Sequence, residues 1–558
     1  MTNSKDSFVY YRDKEYSIKD LNEKFPSLHL NQTKSLILCL DGTENEFGPK
    51  PFTNVLKLFA MLEKDNNDQL CYYQPGIGTS FQSESKDLRE TNFISSNITR
   101  FVNQVDSMVA FTVKVHVIAA YEFLCKFYNK GDKIYLFGFS RGSFTARIVA
   151  GMIEKVGLIN KGLENMIPMA WNIYANWEKA GQPYENMTVT FAQEFKKTFS
   201  RNDIRIHFMG LWDSINSVGV LRDQMFPYAI RSSNVDHIRH AVSIDERRSK
   251  FKQQLFYSPN EESDFNSSIE STSTSDNSYS SLKSISDLLL YLLGRNPHRS
   301  LREPPQPNND LVQVFFPGNH GDIGGGWEPN DGNQLLSNVS LRWMLAQAIK
   351  FNVIFKPKSI GTFATTFPSY MGFLSYNHDV LTILPRYPDS LPTTTEITYS
   401  ASASVADSVE SVKYPHLPTA PIERFVGRGS STFIDALFWW VLELLPISYK
   451  IEDQYGQRKQ VFKPNLGHHR ILPTDCVLHW SVFYRLHYVS DYNPENLPPE
   501  IGEKFLQSLS QFQIFNFNLI KDYSEGLTID KIKQDWDSQI WKVIPDELTA
   551  LLQDNPDL

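Results

Sequence analysis

The stretch over residues 133–156 constrains the fold more than any other part of the sequence. It begins with a continuous apolar run, KIYLFGF, which is typical of a strand buried on both faces. From residue 143 to residue 156 the apolar side chains recur with helical periodicity. The turn between them, GFSRG at residues 138–142, is a G-x-S-x-G pattern. A buried strand that turns directly into a helix predicts an α/β protein.

Three more apolar runs predict buried strands, and each ends in polar or turn-forming residues. They are SLILCL at 35–40, IRIHFMGL at 204–211 and LVQVFF at 311–316. Helical periodicity covers residues 108–127 and 335–349. Strands that alternate with helices predict fold class α/β, with a doubly wound, mainly parallel sheet covered by helices on both sides.

Composition divides the chain into three expected parts. Residues 1–33 are an N-terminal extension, residues 34–350 are the α/β domain, and residues 351–558 are a mixed helical and aromatic region. A Ser-rich tract at about residues 258–284 interrupts the α/β domain and is expected to be disordered. A second tract rich in Thr and Ser, residues 390–412, predicts a surface loop.

Two apolar stretches outside the predicted sheet have several interpretations. FIDALFWWVLELL at residues 433–445 fits a buried helix, a lid or an interfacial membrane anchor. ISDLLLYLL at residues 285–293 is a shorter helix of the same kind. The C-terminal region is therefore a candidate lid or cap over the α/β domain.

The serine in the turn is the strongest candidate for a reactive residue. A nucleophile elbow needs a strained turn between strand and helix, with small residues on both sides. Ser140 has both flanks, Gly138 and Gly142. The backbone N–H of Arg141 would lie at the helix N-terminus, where it can stabilise an oxyanion. The alternative interpretation is an ordinary tight turn in which Ser140 caps the helix.

A nucleophilic serine of this kind needs an acid and a histidine, in the chain order Ser, acid, His. Asp213 and His320 follow the next predicted strands, so Ser140, Asp213 and His320 would meet at the carboxyl edge of a parallel sheet. His320 would accept the serine proton, and Asp213 would orient the imidazole. The competing acids are Asp245 and Asp322, of which Asp322 is expected to shape the loop beside His320 and is also a candidate for oxyanion or substrate binding.

Two further alternatives concern the base and the first strand. His240 is a competing base, but it follows a helix-like stretch rather than a predicted strand. Asp41 and Gly42 end the first strand, where they are candidates for substrate binding and for the second oxyanion N–H. Aspartate-nucleophile phosphatases have D-x-D-G-T at such a strand end, but Cys39 here replaces the nucleophilic aspartate.

Composition excludes several other classes. The net charge of -8 disfavours nucleic acid as a partner, since that would need a basic face. Four cysteines without C-x-x-C spacing argue against a disulfide scaffold and a zinc site, and no metal or organic cofactor is expected. The absence of an apolar signal and of a long apolar span predicts a cytoplasmic protein, with peripheral membrane contact left open. The oligomeric state is not predicted.

Several motifs, in this order, resemble those of the DUF2235 family. That family includes many fungal proteins and the catalytic domain of type VI secretion phospholipase effectors of the Tle1 type. The shared motifs are LDGT at 40–43, QPGIGT at 74–79, GFSRG at 138–142, WD at 212–213, HAVSIDE at 240–246 and FPGNHGDIGGG at 316–326. A weaker match, HWSV at 479–482, has Trp480 where the family pattern has Pro.

The resemblance implies an α/β-hydrolase fold and esterase chemistry, with phospholipase A activity in the bacterial members. It maps the family's serine, aspartate and histidine onto Ser140, Asp213 and His320. The leading hypothesis is a serine hydrolase of acyl esters, with phospholipid as the expected substrate. The alternatives are a thioesterase, a small-ester carboxylesterase, or a non-enzymatic interaction protein on a hydrolase scaffold.

Overall fold

A computed structural model describes most of the predicted α/β region and parts of the C-terminal region. The described residues are 8–11, 14–17, 33–42, 51–76, 98–176, 191–201, 203–215, 233–256, 310–329, 334–382, 433–445, 447–452, 458–473, 476–489, 492–497, 546–555 and 557–558. The predicted Ser-rich tract, the apolar stretch at 285–293 and the loop at 390–412 lie outside them.

The strands of the described residues form one large sheet and three small two-stranded sheets. In chain order they are β1 Phe8–Tyr11, β2 Lys14–Ser17, β3 Ser35–Leu40, β4 Gln69–Gln74, β5 Lys133–Phe139, β6 Leu158–Ile159, β7 Ser200–Arg201, β8 Ile206–Trp212, β9 Val235–Ser243, β10 Asp310–Phe316, β11 Ile447–Glu452, β12 Arg458–Lys463 and β13 Val477–Leu478. The small sheets are antiparallel hairpins or pairs: β1 with β2, β6 with β7 and β11 with β12.

The large sheet has seven parallel strands in the order β13-β10-β9-β8-β5-β3-β4. The predicted α/β class is therefore confirmed, and the four predicted strands appear as β3, β5, β8 and β10. The prediction that His240 follows a helix-like stretch is wrong, because His240 lies within β9. β13 comes from beyond residue 350, while the proposed division into domains stays a prediction.

Helices pack on both faces of this sheet. In chain order they are α1 Asn54–Met61, α2 Ile98–Phe127, α3 Arg141–Val156, α4 Ile167–Ala175, α5 Phe191–Phe199, α6 His320–Gly324, α7 Ser337–Lys350, α8 Ser359–Thr366, α9 Ser369–Phe373, α10 Phe433–Leu444, α11 Trp480–Tyr488 and α12 Glu547–Asp554. None of the described helices is both long enough and apolar enough to cross a bilayer.

Two apolar cores lie on opposite faces of the sheet. Along β3, Ile37 and Cys39 belong to one core, while Leu36, Leu38 and Leu40 belong to the other. This alternation follows from the two-residue period of a strand. The first core also contains side chains of α1, α7 and α11, and the second contains those of α2 and α3. A sheet covered on both faces explains why its strands appear as continuous apolar runs.

A buried ion pair attaches the last described helix to the sheet-covering helix α7. Arg342 Nε and Nη2 lie 2.8 Å and 2.5 Å from Asp546 Oδ2, and both side chains are about 5% exposed or less. Asp546 also caps α12, because its side chain accepts a hydrogen bond from the Leu548 N–H. Asp546 thus joins the start of α12 to α7.

We expect Asp546→Ala to lower the free energy of unfolding by about 3–5 kcal/mol, because it leaves the Arg342 guanidinium buried without its counter-charge. Urea unfolding measures this change. The control is Glu122→Ala, which removes an exposed i,i+4 pair with Lys126 and should leave the midpoint unchanged. A loss below about 1 kcal/mol for Asp546→Ala would contradict the role given to this pair.

Candidate active site

The candidate site lies at the point where the strand order of the sheet reverses. β3 has β4 on one side and β5 on the other, so the chain leaves this region in opposite directions. Crevices at such points, beyond the carboxyl ends of the strands, are the usual ligand sites of open α/β sheets. Ser140 follows β5 directly, Asp213 follows β8, and His320 lies four residues after β10.

Ser140 occupies a strained turn between β5 and α3. Its φ of 58° and ψ of -123° lie where non-glycine residues are rare, at a cost of about 1–3 kcal/mol. Two glycines permit the tight turn. A Cβ on Gly138 would lie 2.7 Å from Ser143 backbone atoms, and one on Gly142 would lie 2.1 Å from the Leu40 carbonyl oxygen. The G-x-S-x-G pattern is thus explained by backbone contact on both sides of the serine.

His320 is the first residue of the short helix α6 and is held by a capping box. The Asn319 side chain accepts from the Asp322 N–H at 3.0 Å, and the Asp322 side chain accepts from the Asn319 N–H at 3.0 Å. The imidazole packs between two aromatic rings. Its centroid lies 4.7 Å from that of Phe139, the neighbour of Ser140, and 4.8 Å from that of Phe251.

Asp213 binds the imidazole directly. His320 Nδ1 lies 2.6 Å from Asp213 Oδ2, with both side chains buried. The Ser243 N–H donates to Asp213 Oδ1 at 2.9 Å, which fixes the carboxylate against β9. The Ser140 N–H donates to the Trp212 carbonyl at 3.1 Å, so the turn that carries the serine is joined to the end of the strand before Asp213.

Arg470 is a site residue that the sequence analysis missed. Its Nη1 lies 2.7 Å from Asp213 Oδ1 and its Nη2 lies 2.9 Å from Asp213 Oδ2, so it binds both carboxylate oxygens. Arg470 also donates from Nε to the Phe251 carbonyl at 2.9 Å. The arginine and the aspartate are 257 positions apart and both fully buried. No local sequence pattern marks such a contact.

The charges around the pair favour an ionised aspartate and a neutral histidine. Burial alone would raise the pKa of Asp213, but the Arg470 guanidinium and the His320 hydrogen bond outweigh it and hold that pKa well below its usual range. Burial lowers the pKa of His320, and the hydrogen bond that Nδ1 donates to Asp213 offsets this only in part. At neutral pH the imidazole is therefore uncharged and able to accept a proton.

The two residues predicted to stabilise an oxyanion, Arg141 and Gly42, differ from each other in their surroundings. Arg141 is the first residue of α3, at the positive end of the helix dipole. The Gly42 N–H, however, donates to Asp41 Oδ1 at 2.7 Å. In this conformation Gly42 is engaged by a carboxylate and does not point its N–H at an oxyanion.

Asp41 is a buried carboxylate beside the elbow. Besides Gly42, it accepts hydrogen bonds from the Thr53 hydroxyl at 2.7 Å and the Tyr73 hydroxyl at 2.8 Å. Burial raises the pKa of Asp41 to about 6, although these hydrogen bonds oppose the shift. The structure thus gives Asp41 a role in holding the end of β3 against α1.

The competing acids have other partners. Asp322 completes the capping box and binds His378 Nδ1 at 2.7 Å, as expected for a residue that shapes the loop. Asp245 accepts from the Gly318 N–H at 2.6 Å and from Asn377 Nδ2 at 3.1 Å. Both carboxylates therefore support the turn that carries His320.

The competing base is buried and occupied. His240 Nε2 accepts a hydrogen bond from the Ser214 N–H at 3.1 Å, and its Nδ1 lies 3.3 Å from Gln313 Oε1. Burial, with the nearby Arg147 charge, lowers the pKa of His240 to about 3. His240 is a neutral core residue that supports the loop after Asp213.

The serine hydroxyl is not hydrogen-bonded to the histidine in this conformation. Among the described residues, no hydrogen bond joins Ser140 Oγ to His320 Nε2. In enzymes without substrate such contacts are often long and tighten when substrate binds. The described residues also contain no group of three or more His, Cys, Asp or Glu side chains that could hold a metal ion.

The chain resembles one family model and one curated relative over most of its length. Residues 34–347 match the model described as the catalytic domain of the type VI secretion phospholipase effector Tle1-like family. The chain is also 35% identical to the uncharacterized protein YEL023C of Saccharomyces cerevisiae, over 96% of this chain and 97% of that protein.

Two solved structures are similar to part of the chain, both at 16% identity. One is an uncharacterized protein from Pseudomonas aeruginosa, with a TM-score of 0.30, covering 61% of this chain and 48% of that chain. The other is the Tle1 effector bound to the VgrG spike from the type 6 secretion system, with a TM-score of 0.26, covering 53% and 52%. The chain spans about half the length of each of these structures.

Proposed function

The chain belongs to the Tle1-like catalytic-domain family, and from that premise we propose that it is a serine hydrolase that cleaves acyl esters of lipids, in the manner of a phospholipase A. The observation that supports this most strongly is the buried pair of Asp213 and His320, at 2.6 Å, beside the strained turn that carries Ser140. The three residues come from separate parts of the chain, and this arrangement supports the roles of nucleophile, base and orienting acid that we propose for them.

In the proposed reaction Ser140 is the nucleophile. Its Oγ attacks the acyl carbonyl carbon while its proton passes to His320 Nε2, and the resulting oxyanion is stabilised at the N-terminus of α3 by the Arg141 N–H. The bond to the alcohol then breaks, and His320 returns the proton to that leaving group. Water, deprotonated by the same imidazole, hydrolyses the acyl-enzyme.

Asp213 and Arg470 act on this reaction through His320. Asp213 accepts the hydrogen bond from Nδ1, so it fixes the tautomer in which Nε2 is free to take a proton. Arg470 is a positioning residue, because it holds both oxygens of Asp213 and acts on the imidazole only through that carboxylate. A bidentate arginine also keeps the carboxylate ionised when the site is desolvated.

Lipid esters suit the aromatic surroundings of the histidine. Phe139 and Phe251 contact the imidazole on two sides, and Trp439 in turn packs on Phe251. Such walls favour an acyl chain over a polar substrate. The proposal therefore includes peripheral contact with a membrane, where phospholipids reside, and needs no metal or organic cofactor.

We expect Ser140→Ala to lower hydrolysis of phospholipid in mixed micelles by about 10³–10⁶, because only oxyanion binding and substrate binding remain. Release of fatty acid measures the rate. Ser337→Ala is the matched control: Ser337 is also buried, and among the described residues its hydroxyl has no hydrogen-bond partner.

Three results would contradict the proposal in different ways. Near-normal turnover by Ser140→Ala would show that Ser140 is not the nucleophile. Thioesters or short soluble esters cleaved in strong preference to phospholipid would favour the other hydrolase classes. A folded wild-type protein that cleaves none of these substrates would favour an interaction protein on a hydrolase scaffold.

The pH dependence of kcat/KM tests the charges of the site. His320 must be neutral to act as a base, and burial holds its pKa below the usual 6.5, so the acid limb of kcat/KM should have its midpoint below pH 6.5. Arg470→Met leaves the Asp213 charge without its cation, which favours the imidazolium. The acid limb should therefore move to higher pH, together with a loss of kcat.

Arg342→Met is the control for that experiment. Arg342 is a buried arginine with two donors on one carboxylate, as Arg470 is, but its partner is Asp546 rather than the site aspartate. It should lose stability without a shift of the acid limb. If Arg470→Met loses the same stability and keeps the wild-type limb, Arg470 has a structural role alone.

A further inference from the structure

We propose that the outward face of α10 and the neighbouring Leu466 form a docking surface for an anionic lipid bilayer, which presents the candidate active site to the membrane. This lipid-docking face consists of Leu437, Phe438, Val441, Leu444, Leu445 and Leu466. The purpose that we give to this docking, presentation of the active site to lipid, rests on the proposed function. The docking itself requires no catalysis, so the two are tested separately.

The exposure of this face is unusual for the described part of the chain. Twelve large apolar side chains are exposed among all the described residues, and five of these twelve come from residues 437–445. Phe438 is 62% exposed and Leu444 57%, whereas Ala436 and Glu443 on the same helix are buried. Contiguous exposed apolar surface of this kind marks an interaction site rather than ordinary protein surface.

The inner face of α10 is firmly attached to the rest of the protein. The Glu443 carboxylate is fully buried and accepts from the Ser249 N–H at 2.6 Å, from Asn465 Nδ2 at 2.5 Å and from the Gly467 N–H at 3.2 Å. Trp440 Nε1 donates to the Leu381 carbonyl at 2.7 Å. These contacts fix the orientation of α10, because a rotation of the helix would break the hydrogen bonds of Glu443 and Trp440. The apolar face therefore stays on the outside.

The same attachments lead to the candidate catalytic pair by two routes. The Trp439 ring lies 5.5 Å from that of Phe251, which lies 4.8 Å from the His320 ring. The loop that binds Glu443 continues to Arg470, which holds Asp213. A bilayer that contacts the outer face of α10 would therefore lie close to the site that is proposed to cleave its esters.

The chemistry of the face fits lipid better than protein. From residue 436 to residue 445 the one ionisable side chain is Glu443, and it points inward. A protein partner would need polar groups here, at about one hydrogen bond per 100–200 Å² of interface, whereas an acyl layer needs none. Helices with such an apolar face are typical of segments that lie in the membrane interface.

The hairpin after α10 adds charge complementarity. Residues 447–463 contain four basic residues, Lys450, Arg458, Lys459 and Lys463, against two acids, Glu452 and Asp453, although the whole chain has a net charge of -8. A local basic segment next to an apolar helix is the combination that attracts an anionic lipid surface. An anionic bilayer is therefore the partner that we propose for the lipid-docking face.

The test measures binding of the Ser140→Ala protein, which cannot consume the lipid, to phosphatidylcholine vesicles with and without phosphatidylserine. Phe438→Ser with Val441→Ser should weaken binding at least about tenfold, because two apolar anchors are lost. Phe127→Ser with Val115→Ser is the matched control, since it changes the same residue types at exposed positions of α2 and should leave binding unchanged. Binding to phosphatidylserine vesicles should also weaken as salt rises.

Several outcomes would overturn the proposal. They are equal binding by the two double variants, no vesicle binding by the Ser140→Ala protein, and a dimer in solution that dissociates when Phe438 is changed. The thermal midpoint checks that each variant is folded, and Phe438→Ala alone repeats the test with a single truncation. Vesicle binding by a wild-type protein that hydrolyses no ester would refute the proposed function and leave the docking surface intact.

Discussion

The candidate site depends on one carboxylate, Asp213, which is bound on one side by His320 and on the other by Arg470. Burying three ionisable groups together costs several kcal/mol for each charge, and only good geometry with further hydrogen bonds repays it. Here the Ser243 N–H and the Phe251 carbonyl complete the contacts. Because the three side chains come from three separate parts of the chain, the site exists only when these parts pack together. Loss of Asp213 or of Arg470 would leave the other charge buried without compensation.

The strained turn at Ser140 is the second constraint, and the parallel sheet holds the backbone in this strained conformation. β5 lies between β3 and β8, so its end is fixed from both sides, and α3 packs directly over it. Strain of this kind persists only where the surroundings determine the backbone conformation. Gly142 allows α3 to approach the Leu40 carbonyl, which brings the end of β3 and the elbow together. The fold thus supplies rigid positions for a serine, a helix N-terminus and a histidine.

Much of this arrangement could be predicted, because it is encoded in short stretches of the chain. β3 and β5 have the predicted bounds, since both are continuous apolar runs that end in turn residues. β9 was missed because its sequence, VDHIRHAVS, is polar in places. The structure satisfies those polar groups through tertiary contacts, such as that of Arg239 with Asp310 and Gln347. Arg470 was missed for the same reason, since nothing near it in sequence indicates Asp213. The sequence analysis offered the Gly42 N–H as an oxyanion donor, but it could not show that the Asp41 carboxylate accepts a hydrogen bond from that N–H.

Mass spectrometry of the fluorophosphonate-treated protein tests most directly whether Ser140 is a nucleophile activated by His320. Trypsin releases residues 134–141, IYLFGFSR, in which Ser140 is the one serine. We expect the phosphonyl adduct on this peptide, at Ser140, and its loss in His320→Ala. An adduct on a different peptide, or none on folded protein in the presence of lipid vesicles, would contradict it.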